Sequence, residues 1–130
     1  MTTALLPSAP ALLVARAKAH PDLVAIQGAR VGTKLNSNLP ATRVQRIGGS
    51  PTQPWEDNPL VQVEAWAADE GAADLLIRTW IAALDDFRHR AASGQVYTYT
   101  VESGPYWAPD DPSLSTNCRY IITVRLLTTP

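Results

Sequence analysis

Two histidines, one cysteine, four pairs of adjacent acids and a scatter of serines are the groups on which any chemistry of this chain would rest. His20 and His89 stand far apart. No His-x-x-x-His or Cys/His cluster gives metal-ligand spacing, so a zinc site would need distant carboxylates. His89 lies between Arg88 and Arg90, which reads as a solvated helix end. Cys118 is alone and can form neither an internal disulfide nor a cysteine-based zinc site. Arg119 beside it would favour a thiolate, but a half-buried structural thiol is the simpler reading. The acid pairs are Glu56-Asp57, Asp69-Glu70, Asp85-Asp86 and Asp110-Asp111. Neighbours on a helix point about 100° apart, so Asp85-Asp86 cannot clasp one ion. Asp110-Asp111 precedes Pro112 and reads as turn chemistry. Ser93, Ser103, Ser113 and Ser115 lie outside any Gly-x-Ser-x-Gly elbow. Gly48-Gly49-Ser50 is followed by Pro51 rather than by the Gly-Lys-Ser/Thr of a phosphate loop. The residues therefore offer no catalytic group, no cofactor site and no metal site.

Composition bounds the rest. The chain has 130 residues, 11 basic against 12 acidic, for a net charge of −1. That is one domain's worth. It lacks the basic excess with which DNA-binding domains neutralise phosphates. With 45% hydrophobic residues and four tryptophans, it is too apolar for disorder. No stretch approaches the roughly 20 apolar residues of a membrane span. The opening MTTALLPSAPALLVARAKAH is broken by two prolines and lacks a basic leader, so no signal peptide is expected. A single cysteine fits a reducing compartment such as the cytoplasm.

The elements that would position these residues read as follows. Pro10–Ala19 is a short helix ended by His20-Pro21. Ala29–Leu35 and Leu39–Ile47 are extended and flank the turn Asn36-Ser37-Asn38, a hairpin spanning 29–47. Gly48–Pro59 is a loop, since two glycines and three prolines cannot hold a helix or a central strand. Leu60–Ala67 alternates Val61, Val63 and Ala65 against Gln62 and Glu64, the pattern of a half-buried strand. Asp69–Arg90 is one long helix. Acids stand at its start and bases at its end, and the stripe of Leu76, Trp80, Ala83 and Phe87 is widened by Ile77, Ile81 and Leu84. Val96–Glu102 and Arg119–Thr128 are strands, joined by a proline-rich loop over 103–117. The sum is an α+β domain: a mostly antiparallel or mixed sheet of four to five strands, with the long helix on one face and the short N-terminal helix beside it. The uncovered face would carry Arg43 or Arg46, Gln62, Glu64 and Arg125. Trp80 belongs to the core stripe. Trp66 shares parity with Gln62 and Glu64. Trp55 and Trp107 fall in the two loops, as intramolecular plugs or as contacts with another subunit.

From Ala29 onward the order of several weak pieces carries a resemblance: VGTKLNSNLP (31–40), RVQRIGGSP (43–51), NPLVQVEAWA (58–67), the helix opening Asp69-Glu70-Gly71-Ala72-Ala73, GPYWAPDD (104–111) and RYIITVRL (119–126). In this order they resemble the tail terminator proteins of long-tailed, siphovirus-type bacteriophages, particularly those of actinobacterial phages. The resemblance implies a non-enzymatic virion protein at the tail–neck junction, assembled in the host cytoplasm. It implies a homo-oligomeric ring, a hexamer, that caps the head-proximal end of the tail tube and stops its polymerisation. The implied partners are the tail tube protein, a neck or head-completion protein, and DNA crossing the lumen without sequence-specific contacts. The expected assembly residues are Gly48, Gly49, Pro51, Pro54 and Trp55 in the first loop, Tyr106 and Trp107 in the second, and Arg43, Arg46 and Arg125 on the sheet. A head–tail joining or stopper protein is the nearest alternative. A small ligand-binding or hydrolytic α+β domain is the alternative from another class, and would require a deep pocket with convergent polar groups.

Overall fold

Capping chemistry sets the helices. In the computed structural model, which describes residues 5–91, 94–109 and 117–130, Ser8 caps helix α1 (Ala9–Ala19) and Pro10 sits in its first turn, where a missing N–H costs nothing. His20 ends α1 and also caps α2 (Pro21–Gln27), its Nδ1 accepting from the Asp22 amide at 3.3 Å. Helix α3 (Glu70–Ala83) begins at Asp69, whose carboxylate accepts from the Ala72 amide at 2.8 Å.

Six strands form one sheet: β1 (Val31–Gly32), β2 (Ala41–Gln53), β3 (Glu56–Ala67), β4 (Arg90–Ala91), β5 (Gly94–Trp107) and β6 (Cys118–Thr129). Their spatial order is β1-β2-β3-β6-β5-β4. Every neighbouring pair is antiparallel except β1 with β2, which is parallel. The fold is thus α+β with a mixed sheet. Val44, Val61, Val63, Ile122 and Val124 point from the sheet into one apolar cluster with Leu12 and Leu13 of α1, Leu23 of α2, and Leu76, Ile77 and Trp80 of α3. The helices therefore cover one face and leave the other to polar residues. Trp80 is fully buried and stands edge-on to Phe87 at 5.9 Å. Its Nε1–H donates to Thr42 Oγ1 at 3.0 Å, and Thr42 donates in turn to Gln27 Oε1 at 2.5 Å.

Several elements differ from their sequence-based reading. The segments of the expected 29–47 hairpin run parallel, Val31 opposite Thr42, so they cannot be a hairpin. The strand content of the first is two residues. A second helix, α2, occupies a stretch too short to show a period. The expected loop 48–59 is strand on both sides of a two-residue turn, Pro54-Trp55. Pro51 is tolerated because β2 is an edge there, β1 pairing only with Thr42 and Arg43. Pro59 falls in β3 between the Asp57–Thr128 and Leu60–Arg125 pairs, where it has no partner on β6. The expected loop 103–117 likewise begins as strand, with β5 running to Trp107 along the opposite edge. The long helix expected over 69–90 ends at Ala83, tightens into a 3-10 turn over Leu84–Phe87, and gives way to β4. Asp85 and Asp86 sit at the negative end of the helix dipole, where acids are unfavourable. Ser93, Asp110, Asp111, Pro112, Ser113 and Ser115 lie outside the described residues.

Candidate assembly surfaces

The β2–β3 hairpin forms an arm along the sheet edge, exposed over residues 49–55 with Trp55 in its turn, while β3 stays paired with β6 from Asp57 onward. Two bulges interrupt its register, one between Arg46 and Gly48 and one between Pro51 and Gln53. Gly49 has φ +82°, and a Cβ there would stand 2.1 Å from the Asn58 carbonyl oxygen, so the arm's twist requires glycine. Thr52 donates to Glu56 at 2.6 Å across the turn. Pro51, Pro54 and Trp55 are all exposed, Trp55 at 61%. Arg46 anchors the arm at its base. It donates from Nη1 and Nη2 to the buried Asp57 carboxylate at 2.5 and 3.0 Å, and from Nε to the Gly48 carbonyl at 3.0 Å. Arg46 lies opposite Val61, hence on the helix-covered side, and does not share a face with Arg43.

The uncovered face is centred on Glu64, 1% exposed. Arg43 holds it with two donors, Nε and Nη2. Arg119 Nη1 donates to it at 2.9 Å and Gln62 Nε2 at 3.0 Å. Burial alone would raise the Glu64 carboxyl, but the hydrogen bond and charge of Arg43, the charge of Arg119 and the hydrogen bond from Gln62 bring it below the ordinary carboxylate range. Arg119 also donates to the Ala108 carbonyl at 2.6 Å and lies 4.8 Å above the Trp66 ring. Trp66, expected on the polar face, is on that face and buried beneath this guanidinium. Arg125, half-exposed, pairs with Glu102 at 2.9 Å. Sequence reasoning missed Glu64 and Asp57 as the anions that hold these arginines, and it missed Arg119 as the clamp on Trp66. The alternation in β3 was the one available signal, and it placed Glu64 on a face expected to be open.

Along β5, Tyr97, Tyr106 and Trp107 are exposed at 59%, 41% and 44%. Trp107 leans on Tyr120 at 5.1 Å, and the Tyr120 hydroxyl donates to Glu70 at 2.8 Å. The two aromatic regions thus lie on opposite edges of the sheet, the arm's tip on the β2 side and Tyr106-Trp107 on the β5 side. Past Gly94 and Gln95, no described strand pairs with the outer side of β5.

The remaining sequence candidates disperse. His20 bonds Asp86 at 2.8 Å, Asp85 pairs with Arg88 at 3.3 Å, Ser103 is exposed in β5, and Cys118 is half-buried at the start of β6. Among the described residues no three His, Cys, Asp or Glu side chains converge as a metal site would require. No helix among them is long and apolar enough to cross a membrane.

No family model and no curated protein matches the chain. Among solved structures, a chain from "Virion of native gene transfer agent (GTA) particle" has the same fold at a TM-score of 0.60 and 13% identity, over 95% of this chain and 96% of that one.

Proposed function

We propose that this protein is a structural component of a phage-like particle: a tail terminator that forms a ring on the head-proximal end of the tail tube, halts tube growth and presents a surface to the neck. The observation that carries the reading is the fold shared, nearly end to end, with a chain of a gene transfer agent virion. The surfaces support it. A subunit that must bind the copy on each side and a ring below needs several distinct contact regions. This chain exposes two aromatic ones on opposite edges of one rigid sheet, together with a polar sheet face. Contacts between unlike edges are heterologous and generate a ring when the rotation closes.

The mechanism is geometric. A tube grows because each ring offers a surface complementary to the next. A terminator matches that surface on one side and replaces it on the other, so addition stops. The arm's prolines and its Arg46–Asp57 anchor fix its shape before docking, which lowers the ordering cost of binding. Trp55 supplies the anchor side chain. Arg43, Arg119 and Arg125 give the uncovered face a cationic character suited to a lumen that DNA crosses, although Glu64 and Glu102 balance much of it.

Purified tail tubes lacking this protein test the reading. Added protein should cap one end, seen by electron microscopy as a terminal ring, and should arrest extension by free tube subunits with no heads present. Native mass spectrometry of the capped tubes would count the subunits. Binding to filled heads but not to tubes would make it a head-completion protein instead. Absence from any particle would refute a structural role.

A further inference from the structure

Arg16 is the only buried arginine among the described residues, at 8% exposure, and it meets no carboxylate there. Arg43, Arg46, Arg119 and Arg125 of the sheet are answered by Glu64, Asp57 or Glu102. Arg16 instead donates from Nη1 to His89 Nε2 at 2.5 Å and from Nη2 to the carbonyls of His89 and Gly94 at 2.9 and 3.0 Å. Because His89 accepts through Nε2, its ring hydrogen sits on Nδ1, 3.0 Å from the Asp86 carbonyl oxygen. The imidazole is thus a neutral partner. A guanidinium has five donors; three are used, and Nε is buried with no partner. Burial pulls the Arg16 guanidinium below its ordinary value. A buried charge surrounded only by neutral acceptors is costly and gains strongly from an opposite charge.

Beside it opens a cleft of about 220 Å³, lined by Arg16, His20, Asp86 and His89 and walled by the apolar groups of Ala15, Ala19, Pro21 and Phe87. Its one acid, Asp86, is already bonded to His20. We propose that this cleft is a docking site for a carboxylate on a short apolar stem, the group that an Asp or Glu side chain of a partner polypeptide presents, with Arg16 supplying the complementary charge. The apolar walls match methylene groups and disfavour phosphate, which would have to shed a larger hydration shell. The volume exceeds the roughly 30 Å³ share of one water several-fold, enough for a few heavy atoms. The site adjoins the start of β5 through the Gly94 carbonyl, its lining shares no residue with the arm or with Tyr106 and Trp107, and the proposal does not depend on the terminator reading.

The test is an NMR titration of the full chain with butyrate, butyramide and inorganic phosphate, following the His20 and His89 rings and the Ala15 and Ala19 methyls. Butyrate should produce saturable shifts. Butyramide should bind roughly tenfold more weakly or less, since a contact to a charged group becomes neutral, and phosphate should not saturate. Arg16→Lys should weaken butyrate to a similar degree. Ala19→Phe fills the cleft from its exposed side, leaves the Arg16 bonds intact and should abolish the saturable shifts. If Arg16→Lys fails to fold, Ala19→Phe decides. No response to butyrate, equal responses to butyrate and butyramide, tighter binding of phosphate, or undiminished binding by Ala19→Phe would each overturn the proposal.

Discussion

Replacing Trp55 with alanine separates an anchor from a core residue. The side chain is 61% exposed, and a tryptophan buries up to about 250 Å², so roughly 150 Å² is left to cover on docking. At about 25 cal/mol per Å² that area corresponds to nearly 4 kcal/mol, a factor of several hundred in affinity. Interface reorganisation reduces the observable cost to about 2–4 kcal/mol, the range of an anchor residue. Inside its own chain the indole caps a two-residue turn and lies outside the apolar cluster, so thermal unfolding should shift by no more than about 2 °C. The assay is a dose–response for arrest of tube extension, run beside a melting curve. Trp55→Ala should need on the order of 100-fold more protein to arrest growth, with unchanged melting. A melting temperature lowered by more than about 5 °C with undiminished capping would show that the indole stabilises the fold and that the arm is misassigned.

Three further outcomes follow from the packing. Trp80→Ala should cost about 3–5 kcal/mol in denaturant unfolding, from the cavity and the lost edge-on contact with Phe87; a near-neutral result would contradict the burial of that helix face. Glu64 is held below the ordinary carboxylate range in the folded state, while an unfolded glutamate titrates near about 4.3. Its contribution is therefore fully present above that pH and disappears as the pH falls through the lower folded value. Glu64→Gln should lower stability at neutral pH and flatten the acid limb of a stability-versus-pH curve, and an unchanged limb would locate the acid sensitivity elsewhere. Gly49→Ala forces a side chain into positive φ against the Asn58 carbonyl and should cost roughly 2 kcal/mol or more, read as faster amide exchange over residues 48–59. Unaltered exchange there would mean that the bulge relaxes freely.

Periodicity made the helix stripe around Trp80 and the alternation of Val61, Val63 and Ala65 legible, because both report burial against a single neighbour. It could not report which strands lie at an edge. Proline excludes a strand only where its missing N–H is needed, and at Pro51 and Pro105 it is not, so the β2–β3 arm and the far end of β5 passed for loops. The parallel pairing of β1 depends on a return through residues 33–40 whose turn chemistry mimics a hairpin. The partners of Arg43 and Arg46 lay in view as acids on β3. The link from Arg16 to His89 joins positions 73 residues apart in the chain, and no local pattern encodes it.

Register shifts interrupt β2 between Arg46 and Gly48, and β5 between Val96 and Thr98 and between Val101 and Ser103, and with Pro51 and Pro105 they shape the two free edges of the sheet. Long bare strand edges normally recruit further strands without limit and end in fibrils. Here each irregularity breaks the regular ladder after a few residues, so a stray chain finds no continuous template. A ladder interrupted in this way offers an incoming strand few consecutive partners, which lowers the tendency of the free edges to add strands.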